Sequence, residues 1–331
     1  PSTGNTTDFG NLSVASSAGQ TGIVGTATRG ISAIGINSSY SVLNTIEYVT
    51  IASTGNTTDF GDRTNSVIHA SGCASSTRGV FMGGNTDGTA DDNVNVIDYI
   101  TMGSTGNATD FGDLSQSTFR AGGISNTTKG LYLGGSTNAG TTTVNTIDQI
   151  TIASTGNATD FADLATATSG HSAASAEFPA VQNEAGFAPA AMGLLIGGES
   201  IISDAGYQTS MVFINITTDG QSGMFGDLNA KMARASLGTA ASSTRAITRM
   251  GGFITSSATN IIEYNTFSTK GNANDFGDLT ASITFGGALS NSTRGIIGHG
   301  GNTNVISYIT IASIGNSTDF GDLTGNKSGE G

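Results

Sequence analysis

Residues 104–114 read STGNATDFGDL. Taken alone, Asp110-Phe111-Gly112 has the look of the metal-binding DFG of a protein kinase, and Asp110 with Asp113 offers paired carboxylates to a cation. Recurrence decides otherwise. The phenylalanine returns as Phe9, Phe60, Phe111, Phe161, Phe225, Phe276 and Phe320, at spacings of 51, 51, 50, 64, 51 and 44 residues. The text around it is nearly verbatim: TGNTTDFGNL, TGNTTDFGDR, TGNATDFGDL, TGNATDFADL, SGMFGDL, GNANDFGDL and GNSTDFGDL. A kinase needs one DFG, together with a strand lysine, an HRD loop and a glycine-rich loop, none of which is present. The string is a repeat unit, and its period of about 50 residues sets the architecture.

Each unit keeps one internal order. The second runs NSVIHASGCASS, TRGVFMGG, NVNVIDYITMGS and then TGNATDFGDL. Short β-branched or apolar runs separated by Gly, Ser, Thr and Asn predict four strands, a to d, in every unit. In NVIDYITM, Ile97 and Tyr99 point to one face while Val96, Ile100 and Met102 point to the other. A strand apolar on both faces belongs to a sheet covered on both sides. The reading is an all-β fold, a six-bladed β-propeller with four antiparallel strands per blade. It occupies 1–331 as a single domain, with units at 13–62, 63–114, 115–164, 165–228, 229–279 and 280–323. Residues 1–12 hold an additional d-like strand and 324–331 a tail. Neither end unit has the polar cap a solenoid requires.

Seven d-like strings serve six a–b–c sets. The expectation is that the C-terminal copy completes the sixth blade, while the N-terminal copy packs against the same edge or leads in from a preceding segment. The fourth unit is longer, and its residues 176–193 carry Phe178, Pro179, Phe187 and Pro189. This insertion is expected between strands a and b, either as an interaction loop, because binding differences accumulate on loops held by a rigid scaffold, or as a local insertion that covers its own blade edge.

Composition narrows the function classes. Net charge is −13 with only 12 basic residues, scattered singly, which argues against nucleic acid as a partner. No run of 18 apolar residues occurs, so no membrane insertion is expected. The lone Cys73 can form no intrachain disulfide. The chain opens at Pro1 and is read as processed or as part of a longer polypeptide.

The unit resembles the kelch repeat. A diglycine ends strand b at Gly83-Gly84, Gly134-Gly135, Gly197-Gly198, Gly251-Gly252 and Gly300-Gly301. An aromatic follows at Tyr48, Tyr99, Phe213, Tyr264 and Tyr308, and then comes the recurring Phe. The chain departs from that pattern in using Phe for Trp, Ile34-Gly35 for the first diglycine and Gln149 for the third tyrosine. Runs such as NVIDYITMGSTGNATDFGDL and STRGVFMGG also resemble repeats in virion-associated proteins of marine cyanophages and related tailed phages. That resemblance implies a structural or adhesive place on the virion, tail-associated, with other virion proteins as partners and a host-surface glycan as a further one.

Three groups of residues offer candidate chemistry. Calcium could be held by Asp110 and Asp113 and by their repeats Asp59/Asp62, Asp160/Asp163, Asp275/Asp278 and Asp319/Asp322. Two carboxylates per loop fall short of the usual oxygen cluster, and the competing reading is an aspartate accepting backbone N–H groups in a turn. His69 and His171 fall at near-equivalent places on strand a, whereas His299 lies on strand b, so three-histidine metal binding is not expected. Arg29, Arg78, Lys129, Arg245 and Arg294 recur before strand b and are expected to pair with acids such as Glu47, Asp98, Asp148 and Glu263. The expectation is therefore a non-enzymatic scaffold without a cofactor. The alternative is a lectin-like adhesin with glycan pockets between blades.

Overall fold

The computed structural model describes residues 3–16, 21–87, 92–137, 142–170, 172–176, 192–197, 208–216, 222–229, 239–254, 257–283, 286–300 and 303–327. They are all-β: six antiparallel four-stranded sheets, the blades of a β-propeller. The chain forms two compact units, residues 9–169 with 215–222, and residues 1–8 with 170–214 and 223–331.

The first unit holds three sheets. These are β1 to β4 (Thr21–Gly25, Arg29–Ala33, Thr45–Thr50, Thr58–Asp62) and β5 to β8 (Ser71–Ala74, Arg78–Met82, Val96–Thr101, Thr109–Asp113). The third joins β9 (Gly122–Ser125), β10 (Lys129–Leu133), β13 (Thr146–Thr151) and β14 (Thr159–Asp163), with a small ribbon of β11 (Ser136–Thr137) and β12 (Thr142–Thr143). The second unit holds β15 to β18 (Ser172–Ala176, Met192–Ile196, Ser210–Asn215, Gly223–Asp227), β19 to β22 (Ala240–Ala241, Arg245–Ile254, Ser257–Thr266, Asn274–Ile283) and β23 to β26 (Gly286–Ser290, Arg294–His299, Thr303–Thr310, Thr318–Lys327). Residues 177–191 connect strands a and b of the fourth sheet; Phe178, Pro179, Phe187 and Pro189 lie outside the described residues, as do Gly198 and Gly301.

Local sequence explains the hairpins. Between strands a and b, a Thr, Ser or Asn side chain accepts the N–H three residues on. Thr26, Ser75, Asn126, Ser242 and Asn291 cap Arg29, Arg78, Lys129, Arg245 and Arg294 in this way. Between strands c and d the register slips at the recurring phenylalanine in every sheet: Ile97 faces Gly112 but Asp98 faces Asp110, leaving Phe111 as the extra residue. The recurring phenylalanine is thus a β-bulge, which re-aims its ring.

The core lies between sheets rather than within them. Val24, Ile31, Ile46 and Phe60 of the first sheet pack with Phe81, Ile100 and Met102 of the second. Val80, Met82, Ile97 and Phe111 of the second sheet pack with Tyr132, Ile150 and Ile152 of the third. In the other unit one cluster runs from Leu194 and Phe225 through Ile247 and Phe276 to Ile297 and Ile311. Strand c therefore spends both faces, as its doubly apolar pattern predicts.

Candidate functional site

The TGN…DFGD string is a joint between successive repeats. Gly106 N–H donates to Phe60 O at 2.7 Å and Ala108 N–H to Asp62 O at 2.7 Å, while Asp62 N–H donates to Asn107 Oδ1 at 3.1 Å. The same three bonds recur from Gly156, Ala158 and Asn157 to the strand of Phe111, from Gly271, Ala273 and Asn272 to that of Phe225, and from Gly315, Ser317 and Asn316 to that of Phe276. Gly55, Thr57 and Asn56 make them on Phe9 and Asn11. Gly4, Thr6 and Asn5 make them on Phe320 and Asp322. Each of these sets joins residues of one unit.

This contact requires glycine after the phenylalanine. A Cβ on Gly112 would stand 2.5 Å from the Gly156 carbonyl, and one on Gly61 2.5 Å from that of Gly106. Where the string carries Ala162 instead, the following repeat reads TTDGQSG and has no TGN; among the described residues, Ser222 donates to Asp163 O through its N–H and its hydroxyl.

Two further latches use the remaining recurrent polar residues. The buried acid on strand c accepts from the Ser or Thr that follows the preceding d strand: Glu47 from the N–H and hydroxyl of Ser13, Asp98 from those of Thr64, Asp148 from those of Ser115. The arginine before strand b stacks on its own strand-c tyrosine, 4.3–4.8 Å from the ring centroid. Its Nη1 donates to the end of the next repeat's strand c: Arg29 to Met102 O, Arg78 to Ile152 O and Arg245 to Ile311 O, each 3.0 Å. The expected pairing of these arginines with Glu47, Asp98 and their kin is therefore corrected. The acids sit at the middle of strand c, within reach of a hydroxyl, and the guanidinium ends over the ring and a carbonyl. The ion pair seen is instead Arg63 with Asp98, at 3.1 Å, with Arg63 standing where other repeats carry leucine.

The carboxylates proposed for calcium serve the joint through their backbone: Asp113 N–H donates to Asn157 and its carbonyl accepts from Ala158. Asp59 Oδ1 accepts from Gly61 N–H at 3.1 Å, the turn role weighed for these aspartates. Among the described residues no three His, Cys, Asp or Glu gather as a metal site. His69 precedes β5 at φ 55°, its ring 6.0 Å from Phe119; burial, then Arg120, lowers its pKa to about 4. His171 lies outside the described residues. His299 is buried on β24 with neither ring nitrogen bonded; burial lowers its pKa against the pull of Asp319. Cys73 is buried against Gly130, and burial lifts its thiol to about 12.

One joint differs. Where Arg and Tyr meet at the corner in the first, second, fifth and sixth repeats, the third has Lys129 and Gln149, and a cavity of about 290 Å³ opens. Phe111, Ile150, Thr155 and Asn157 line it beside them. Its sequence signal was the single Gln in the tyrosine column. The signal for the Ser/Thr latch, a hydroxyl one residue after the DFGDL string, also lay in the text.

No protein-family model and no curated protein matches the sequence.

Proposed function

We propose that the chain is a non-catalytic interaction scaffold: a β-propeller component of a phage virion, tail-associated, that docks to other virion proteins through surface complementarity. One observation carries the proposal. The recurrent Asn, Ser/Thr, Asp/Glu and Arg side chains bond one repeat to the next, so the recurring chemistry is spent on rigidity. Specificity then falls to what is not repeated, the insertion of the fourth repeat and the altered third joint. The kelch-like order of diglycine, tyrosine and phenylalanine and the cyanophage-like wording support the reading as resemblances. The proposal invokes no cofactor. Antibodies against the chain should decorate intact tailed-phage particles in immunogold electron microscopy. Particles free of label, or a purified chain that cleaves a polysaccharide, would contradict it.

A second reading, glycan binding, is favoured by the cavity at Lys129, Gln149 and Asn157, whose amide, hydroxyl and ammonium groups beside Phe111 suit a neutral sugar. Its test is a glycan array with wild type and Gln149→Tyr, which refills the corner. Binding lost in the variant supports this reading.

A further inference from the structure

The joints give a rule for what each sheet expects of its successor, and the sixth sheet breaks it. Ile31, Val80 and Ile247, third from the arginine on strand b, are buried by the following sheet, whereas the equivalent Ile296 is only half-buried. Phe111 and Phe276 are buried, but Phe320 is half-buried. Leu114, Leu228 and Leu279 are buried, but Leu323 is half-buried. Leu289, on β23 of the same sheet, is 65% exposed. The polar latches agree. Arg294 stacks on Tyr308 as its counterparts do on their tyrosines, but its buried Nη1 has no acceptor. Thr324 stands at the place of Thr64 and Ser115, but no carboxylate among the described residues accepts from it as Asp98 and Asp148 accept from them.

One part of a successor is already present. Gly4, Asn5 and Thr6 hold the sixth sheet's d strand with the three bonds of every other joint. Residues 3–12 nonetheless belong to no strand, and Phe9 and Leu12 are 38% and 46% exposed, where their counterparts lie under strand c of their own repeat.

We propose that residues 3–12 are the fourth strand of a further repeat, and that the open face of the sixth sheet is the seat of that repeat's strands a to c, joined ahead of Thr3. The occupant is specified by what the face lacks. It needs a strand c with a carbonyl three residues after its tyrosine for Arg294, as Met102 and Ile152 serve Arg29 and Arg78. It needs apolar side chains at that end to cover Ile296 and Phe320, as Ile100 and Met102 cover Ile31 and Phe60. It needs an acid at mid-strand for Thr324. The chain's own strand-c text, NxI(D/E)Y, has these features. The interface is a continuation of one already built along the chain, and it is independent of the proposed virion role.

The test joins a copy of residues 64–103 to Ser2 of the full chain. A single unfolding transition is expected, with Tm raised by at least about 3 °C and the copied strand c protected from amide exchange. The gain is expected to vanish when Ile296→Asp is added. In the chain without the extension, Ile296→Asp should shift Tm by less than about 2 °C while Val80→Asp lowers it by more than about 8 °C. An unchanged Tm with a freely exchanging extension would overturn the proposal. So would Ile296→Asp being as damaging as Val80→Asp, or a concentration-dependent dimer showing that a second copy takes the face.

Discussion

A methyl group on Gly112 would have to occupy the space of the Gly156 carbonyl, with the residue already at φ 146°. Gly112→Ala is therefore expected to cost about 2–4 kcal/mol in urea unfolding, the range of overpacking combined with backbone strain. Ala162→Gly, at the one string without a TGN neighbour, should change stability by no more than about 1 kcal/mol. Two titratable groups supply further checks at this scale. His69 has a folded pKa near 4, below the ordinary 6.5, so the folded state holds it neutral. Its contribution is complete above pH 6.5 and is lost as pH falls from 6.5 toward 4, because the unfolded chain binds the proton first. His69→Asn, which keeps a residue tolerant of positive φ, should flatten that part of the stability–pH curve; an unchanged slope would contradict the assignment. Cys73, with its thiol near 12, should resist alkylation at pH 8 until the protein unfolds.

At the scale of the element, the joint between sheets is made of two kinds of contact, apolar packing and a small set of latches. Arg63 tests the balance between them. Its guanidinium is buried against Asp98, desolvation lowers its pKa, and Nη1 has no hydrogen-bond partner. Arg63→Leu restores the residue of the other repeats and leaves Asp98 with the N–H and hydroxyl of Thr64. It should be neutral or stabilising in urea unfolding, whereas Asp98→Ala should cost about 3–5 kcal/mol by stranding a buried cation. Asp98→Ala in the Arg63→Leu background should cost markedly less. The strands themselves were legible in the sequence, because alternation, β-branching and turn residues are local properties. Strand c, apolar on both faces, even announced its two neighbours. The joint was not legible from one copy. Asn107 and Asp62 meet across 45 residues, and nothing local tells an asparagine whether it serves its own turn or the strand of the repeat before. Charge alone pairs the arginines with the acids, and charge alone ignores a hydroxyl already lying closer. Gln149, the one non-aromatic residue in a column of tyrosines and a phenylalanine, is visible as a deviation but not as a cavity, since a cavity depends on what its neighbours fail to fill.

For the molecule as a whole, nearly identical text is used several times with the same bonding, so rigidity is distributed and individuality is confined to a few places. That division suits the proposed role of a scaffold that presents a fixed surface. The claim beneath it is that the TGN…DFGD string joins repeats rather than binds an ion or a substrate. Amide exchange of Gly106, Gly156, Gly271 and Gly315 tests it most directly, because these residues lie on exposed loops yet donate to Phe60, Phe111, Phe225 and Phe276 of the preceding repeats. The account predicts protection comparable to that of the central strands, on the order of a thousandfold or more over a free chain. It also predicts selective loss at Gly156 in the Gly112→Ala variant. Exchange at free-chain rates in all four glycines would contradict it.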